Sequence, residues 1–258
     1  MSSHPELDAV RVGCVKYLNA QPLIYQWDGA VHFDHPSNLA LALSRGALDV
    51  ALVPVYELFS RPGYRIVDGV SISSFGPVLS VFLAYRGELR DVKTVALDPA
   101  SLTSSHLVRC ILAEYYGMTP AYIGACAETG AARLLIGNQA LDFRQKHGPE
   151  FRYLDLGEEW TLRTGLPFVF ALWLIRPEVP NPDAVARGFR CIKREGVAHI
   201  REIAESQSGR DPEFCVHYLR DCVRYDFGEP ERAGLSEFNA LLFKHGFASS
   251  PAAVYDIV

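Results

Sequence analysis

Four hydroxyl side chains, Ser101, Thr103, Ser104 and Ser105, cluster between a short apolar run and an amphipathic stretch that closes at Gly117. The pattern predicts a buried strand over 94–97, a loop over 98–105 and a helix with Leu107, Ile111, Leu112 and Tyr115 on one face. The hydroxyls then surround a helix start, where backbone N–H groups are unpaired and the positive end of the helix dipole lies. Two chemistries fit. One Ser or Thr suffices as an ordinary N-cap, whereas several hydroxyls together with amides can cradle a carboxylate or phosphate. A second polar junction follows the strand expected at 10–15, where Pro22 suits the first turn of a helix and Asn19 or a neighbour is a candidate cap.

The elements that must position these groups alternate in type. Strands are expected at 30–34 and 49–53, with a helix between them capped by Ser37 and stopping at Gly46. A short helix over 54–60 completes a β-α-β-α-β-α series, which implies a parallel sheet with ligands beyond the strands' carboxyl ends. Further strands are expected at 78–85, 121–123, 133–136 and 151–156. Helices are expected from Glu128, after Gly137-Asn138 and over 158–164. The run LPFVFALWLI (166–175) is apolar on both faces, as befits the middle of a sheet. Three amphipathic helices, near 182–206, 211–220 and 229–243, close the chain. The architecture expected is two α/β lobes with the second inserted in the first, the layout of the type II periplasmic-binding-protein fold. Lobe one takes 1–88 and 176–258, lobe two takes 89–175, and the strands 78–85 and 168–175 cross a hinge under a cleft.

Composition narrows the function. The chain of 258 residues can bury a sizeable core, and its net charge of −5 without any basic run argues against nucleic acid as a partner. MSSHPELDAV has no cationic start or apolar stretch of a secretory signal, and the longest apolar run is half a membrane span. Neither a membrane nor export is therefore expected. Six cysteines without a CxxC pair read as reduced thiols in a cytoplasmic protein. His35, His199, His217 and His245 are scattered and form no metal set. His106 reads as a solvated helix residue. Lys16 and Arg109 are equally suited to the cleft and to the surface. Phe75 is a candidate for an apolar pocket wall, as is Tyr17, whereas Phe168 is assigned to the core.

Seven ordered blocks carry a resemblance. KYLNAQPL (16–23), DVALVPVYEL (49–58), SSFGPVLSV (73–81), LDPASLTSS (97–105), LLIGNQAL (134–141), LDLGEEWTLRTGLPFVFALW (154–173) and RYDFGEPE (224–231) span nearly the whole chain. Together they resemble the chorismate dehydratases of the futalosine route to menaquinone, cytoplasmic enzymes with a two-lobed binding-protein fold. The resemblance implies that Asn19 and Ser80 are the catalytic polar residues nearest the reacting ring. It further implies that Tyr17, Ser101, Thr103, Ser104, Gly137 and Asn138 bind the substrate, with the anion loop holding a carboxylate. Two positions depart from the family pattern: Leu102 stands where Arg is usual, and Asn138 where Asp is usual.

On that resemblance the expected reaction is loss of water from chorismate to give 3-enolpyruvylbenzoate, with no cofactor and no metal because aromatisation drives it. No matched block contains a histidine, so the substrate's own enolpyruvyl carboxylate is the expected base, with Asn19 orienting it. The alternatives are a non-catalytic small-anion binding protein of the same fold and a detached sensing domain of a regulator. The partner expected is a small dicarboxylate, bound by a monomer or a homodimer.

Overall fold

The computed structural model describes residues 4–98, 100–124, 132–251 and 255–258. The helix expected from Glu128 lies outside them.

The first sheet is built from β1 (Val12–Cys14), β2 (Val31–Phe33), β3 (Val50–Pro54), β4 (Arg65–Ser74), β10 (Phe168–Ile175) and β11 (Asp256–Ile257), in the order β11-β4-β10-β3-β1-β2. β2, β1 and β3 are parallel, as the alternation of strand and helix implies, while β10 is antiparallel to both β3 and β4. Every second residue of a strand faces the same side, and β10 is apolar at every position. It therefore buries both faces and takes the place between β3 and β4.

The second sheet comprises β5 (Val81–Tyr85), β6 (Thr94–Ala96), β7 (Ala121–Ile123), β8 (Ala132–Ile136) and β9 (Arg152–Asp155), in the order β7-β6-β8-β5-β9. Among the described residues β5 pairs with strands of this sheet only, and β10 with strands of the first only. The chain therefore passes between the two sheets at 75–80 and 165–167.

Helices α1 (Pro36–Ser44), α2 (Tyr56–Ser60), α6 (Pro182–Ala198), α7 (Ile200–Glu205), α8 (Pro212–His217) and α9 (Glu229–Lys244) accompany the first sheet. α3 (Leu102–Tyr116), α4 (Gly137–His147) and α5 (Leu156–Thr164) accompany the second. α6 lays Phe189 flat on Trp173 of β10, with centroids 4.2 Å apart. α9 sets Phe238 edge-on to Phe168 at 4.9 Å, and truncating such a buried ring costs about 3–5 kcal/mol. Phe168 thus belongs to the core, as expected. α3 ends at Gly117, whose φ of +62° is the left-handed stop the sequence signals.

Two expected caps are corrected. Ser37 lies inside α1 and His35 takes the cap position without a side-chain bond. Asn19 lies within a short 3₁₀ helix, Leu18–Leu23, because Pro22 and the tight turn leave no room for a full α-helical entry. Cys14, Cys110, Cys215 and Cys222 are buried free thiols.

Candidate active site

Between the two sheets lies a cavity of about 70 Å³. Its walls come from the carboxyl ends of strands and the starts of helices. Val15, Tyr17 and Asn19 follow β1, Pro54 ends β3, Ile136 and Gly137 join β8 to α4, and Ala100 to Ser104 form the start of α3. Leu52, Ile72, Val81 and Phe170 supply apolar surface, and among the described residues no charged side chain lines the space. Its lining, mostly apolar with a few convergent polar groups, has the character of a small-molecule site.

The α3 start is the polar end. Ser101, Thr103 and Ser104 are buried against the cavity. Ser101 occupies the N-cap position, yet its side chain makes no capping bond. The first amides of α3 therefore keep their hydrogens for another acceptor. Thr103 is committed elsewhere: its Oγ1 accepts the backbone N–H of Tyr56 at 3.1 Å, which joins α3 to the start of α2 across the cavity.

Tyr17 stands over Gly137. A Cβ on Gly137 would meet the ring at 2.9 Å, and its φ of +60° is one that only glycine adopts without cost. Burial, together with the negative charge of Asp98, pushes the Tyr17 phenol up to about 12, so it stays a neutral donor. Asp98 itself accepts from the Gln139 amide. Asn19 is 8% exposed, and its Oδ1 has no hydrogen-bond partner.

Two of the expected site residues stand behind the wall. Ser80 is fully buried and off the cavity surface; its Oγ accepts the hydroxyl of Tyr218 at 2.8 Å. Asn138 accepts the backbone N–H of Leu18 at 2.9 Å and so ties the β1 loop to α4.

Sequence reasoning passed over Asp155 and Tyr218. Asp155 caps α5 through the N–H groups of Gly157 and Glu158 and also takes those of Val78 and Leu79, at 3.1 and 2.8 Å. Burial pushes its carboxyl up, against the four amides that pull it down. The grip holds Leu79 at φ +60° in a tight turn closed by Ser80 N–H to the Val78 carbonyl, and this turn aims Ser80. The D-x-x-E spacing of Asp155 and Glu158 was a readable cap signal. For Tyr218 the sequence offers none.

Other candidates lie elsewhere. Lys16 sits over the Phe33 ring and Arg109 over Tyr122, and neither reaches the cavity. Phe75 is exposed on the crossing loop rather than in a pocket wall, because the turn at Gly76 directs it outward. His106 is not solvated: it stacks on Tyr56 at 3.8 Å and meets the edge of Phe247, and burial pulls its imidazole down.

Residues 10–244 match a family model described as menaquinone biosynthesis. The chain belongs to that family. It is 32% identical over 253 residues to a chorismate dehydratase of Thermus thermophilus, a match covering 88% of this chain and 93% of the relative. Among solved structures, a protein from Archaeoglobus fulgidus superposes with a TM-score of 0.71 at 16% identity, covering 92% of this chain and 97% of that one. A Candida albicans protein described as having the generic periplasmic binding protein fold gives 0.64 at 12% identity, covering 93% and 91%. The periplasmic aliphatic sulphonate binding protein of Escherichia coli gives 0.61 at 16% identity, covering 94% of each chain. The family member therefore has the periplasmic-binding-protein fold, the fold expected from its alternating elements. Among the described residues no helix is long and apolar enough to cross a membrane.

Proposed function

We propose that the protein is a hydro-lyase that converts chorismate to 3-enolpyruvylbenzoate and water in the cytoplasm. The observation that carries this reading is the cavity between the sheets, apolar along its walls, without a charged side chain among its described lining residues, and ending in the uncapped start of α3. Membership of the menaquinone biosynthesis family and the likeness to the Thermus enzyme support the choice of substrate.

The hydrogen to be lost is vinylogous to the ring carboxylate. Its removal sends an electron pair through the ring onto that carboxylate, so negative charge develops at the far end of the substrate. Ser101, Ser104 and the first amides of α3 are fixed donors suited to receive it, each able to lower the barrier by about 3 kcal/mol. The proton passes to the substrate's enolpyruvyl carboxylate. Hydroxide then leaves the neighbouring carbon, takes up that proton as water, and the ring becomes aromatic. Atoms and electrons balance without an oxidant or reductant. Asn19 lies beside the reacting ring, with Ser80 one layer behind it. Tyr17 closes the mouth above Gly137. The two sheets act as lobes that close on the substrate, with the segment between the crossings as the inserted one.

Incubation of the purified protein with chorismate tests the reading. The expected result is an aromatic product 18 mass units lighter, with turnover greatly reduced in Asn19→Ala. Saturable binding of chorismate with no product would identify a small-anion binding protein instead.

A further inference from the structure

A groove of about 640 Å³ lies between α6 and the chain that follows α8, and it shares no lining residue with the cavity. α6 supplies Arg190, Lys193 and Arg194, which a spacing of three and four residues sets on one helix face. Arg220, in the π-helical turn Tyr218–Cys222, and Arg224, just beyond it, line the same space. Val197, Leu219 and Val223 add aliphatic surface. Asp226 is the one carboxylate in the lining among the described residues. Five cations against one carboxylate give the groove a charge of +4 in a chain whose total is −5, so the remainder carries −9.

Like charges on neighbouring helix positions repel, and internal pairing leaves these cations with donors to spare. Lys193 Nζ reaches Asp226 at 2.7 Å, and Arg224 Nη2 meets Glu231 at 3.0 Å. Arg190 Nη1 donates to the Val258 carbonyl at 3.0 Å. Arg194 is exposed, with Nε 3.5 Å from Glu195 and Nη2 3.9 Å from the Cys191 sulfur. Arg220 has no ion pair among the described residues, and its charge acts on Glu213 through space. A guanidinium carries five N–H donors, of which these contacts occupy two at most.

Arginine forks match phosphate oxygens and can bind them in pairs. The charge of the groove calls for more than one phosphate, and the acidity of the remainder sets the size of the ligand. Screening confines attraction to about 8 Å at physiological ionic strength, so a compact ligand seated in the groove feels chiefly its cations. A membrane or a nucleic-acid duplex would also lie against the acidic remainder. We propose that this groove binds a compact polyphosphate, inorganic or carried by a nucleoside. Its volume is that of a small-molecule site. The site stands independently of the dehydratase reading. The π turn links it to the cavity: Leu219 and Arg220 line the groove, while Tyr218 donates its hydroxyl to Ser80 at 2.8 Å.

Calorimetric titration of inorganic tripolyphosphate into the full chain at about 0.15 M ionic strength tests the site. Saturable binding at a single site is expected. Arg194 and Arg220 are exposed, so Arg194→Gln and Arg220→Gln should keep the wild-type melting temperature. Each should weaken binding about tenfold, as the loss of a charged hydrogen bond implies. Asp226→Asn should act in the opposite direction and tighten binding, because it removes the groove's negative charge and frees Lys193. A ligand seated instead at the start of α3 would not respond in this way. Adenosine triphosphate distinguishes the two sources: tighter binding than tripolyphosphate shows that the aliphatic surface takes a base, and equal binding shows that phosphates alone are read. Absence of saturable binding, or binding unmoved by the three substitutions, would overturn the inference. So would adsorption to phosphatidylglycerol vesicles by a chain with no affinity for tripolyphosphate.

Discussion

Asn138 Oδ1 accepts the backbone N–H of Leu18 across 2.9 Å, and its Nδ2 faces the Lys16 carbonyl at 3.4 Å. One amide at the start of α4 thus fixes the loop that carries Tyr17 and Asn19. Removing it in Asn138→Ala should loosen that loop and weaken substrate binding. A net hydrogen bond of about 1 kcal/mol corresponds to a KM raised about fivefold, with kcat less affected. Steady-state kinetics on chorismate check the split; a variant that loses kcat at constant KM would contradict it.

Gly137→Ala tests the contact beneath Tyr17. The left-handed backbone alone should cost about 1–2 kcal/mol in a non-glycine residue. In addition, the new methyl would push on a ring 2.9 Å away. A lower urea midpoint and a lower kcat/KM are expected together. Tyr17→Ala in the same background should recover part of the lost stability, since it removes the clash but not the backbone cost.

Thr103→Val probes the bridge between α3 and α2. The substitution keeps the shape but deprives the Tyr56 N–H of its acceptor, at an expected cost of about 1–3 kcal/mol. Thr103→Ser retains an oxygen and should be close to wild type. Equal denaturation midpoints for the two variants would show that the Tyr56 amide finds water instead.

The pH dependence of stability has a defined sign at His106. Burial between Tyr56 and Phe247 lowers its folded pKa below the ordinary 6.5. Above that value both folded and unfolded chains carry a neutral ring, and its contribution is complete. As pH falls, the unfolded chain binds the proton first, so stability is lost until the folded ring also titrates. Thermal melts between pH 7 and 5 should show this decline, and His106→Phe should flatten it.

Local order was readable and distant contacts were not. The apolar run of β10, the Gly117 stop and the polar start of α3 each announce themselves within one or two turns of chain. Six of the eight expected site residues line one cavity, because strand ends and helix starts converge there by topology. The Tyr218–Ser80 bond joins residues 138 apart and the Asn138–Leu18 bond residues 120 apart, distances over which spacing carries no signal. A buried apolar strand such as β5 reads the same in either sheet, and only its hydrogen-bonding neighbours decide. Ser37 and Asn19 are good capping residue types, but His35-Pro36 and the 3₁₀ turn shift each helix start away from them.

Ser74 and Phe168 are cross-strand partners in the first sheet, so the chain departs from β4 and rejoins at β10 one strand spacing away. The whole second sheet with its helices is therefore a single uninterrupted stretch whose two ends emerge side by side. A gene with that stretch replaced by a tight turn would still encode neighbouring edges for β4 and β10. The same doorway would accept a foreign segment whose termini lie close together, which makes this seam the natural place to graft a different recognition module onto the scaffold.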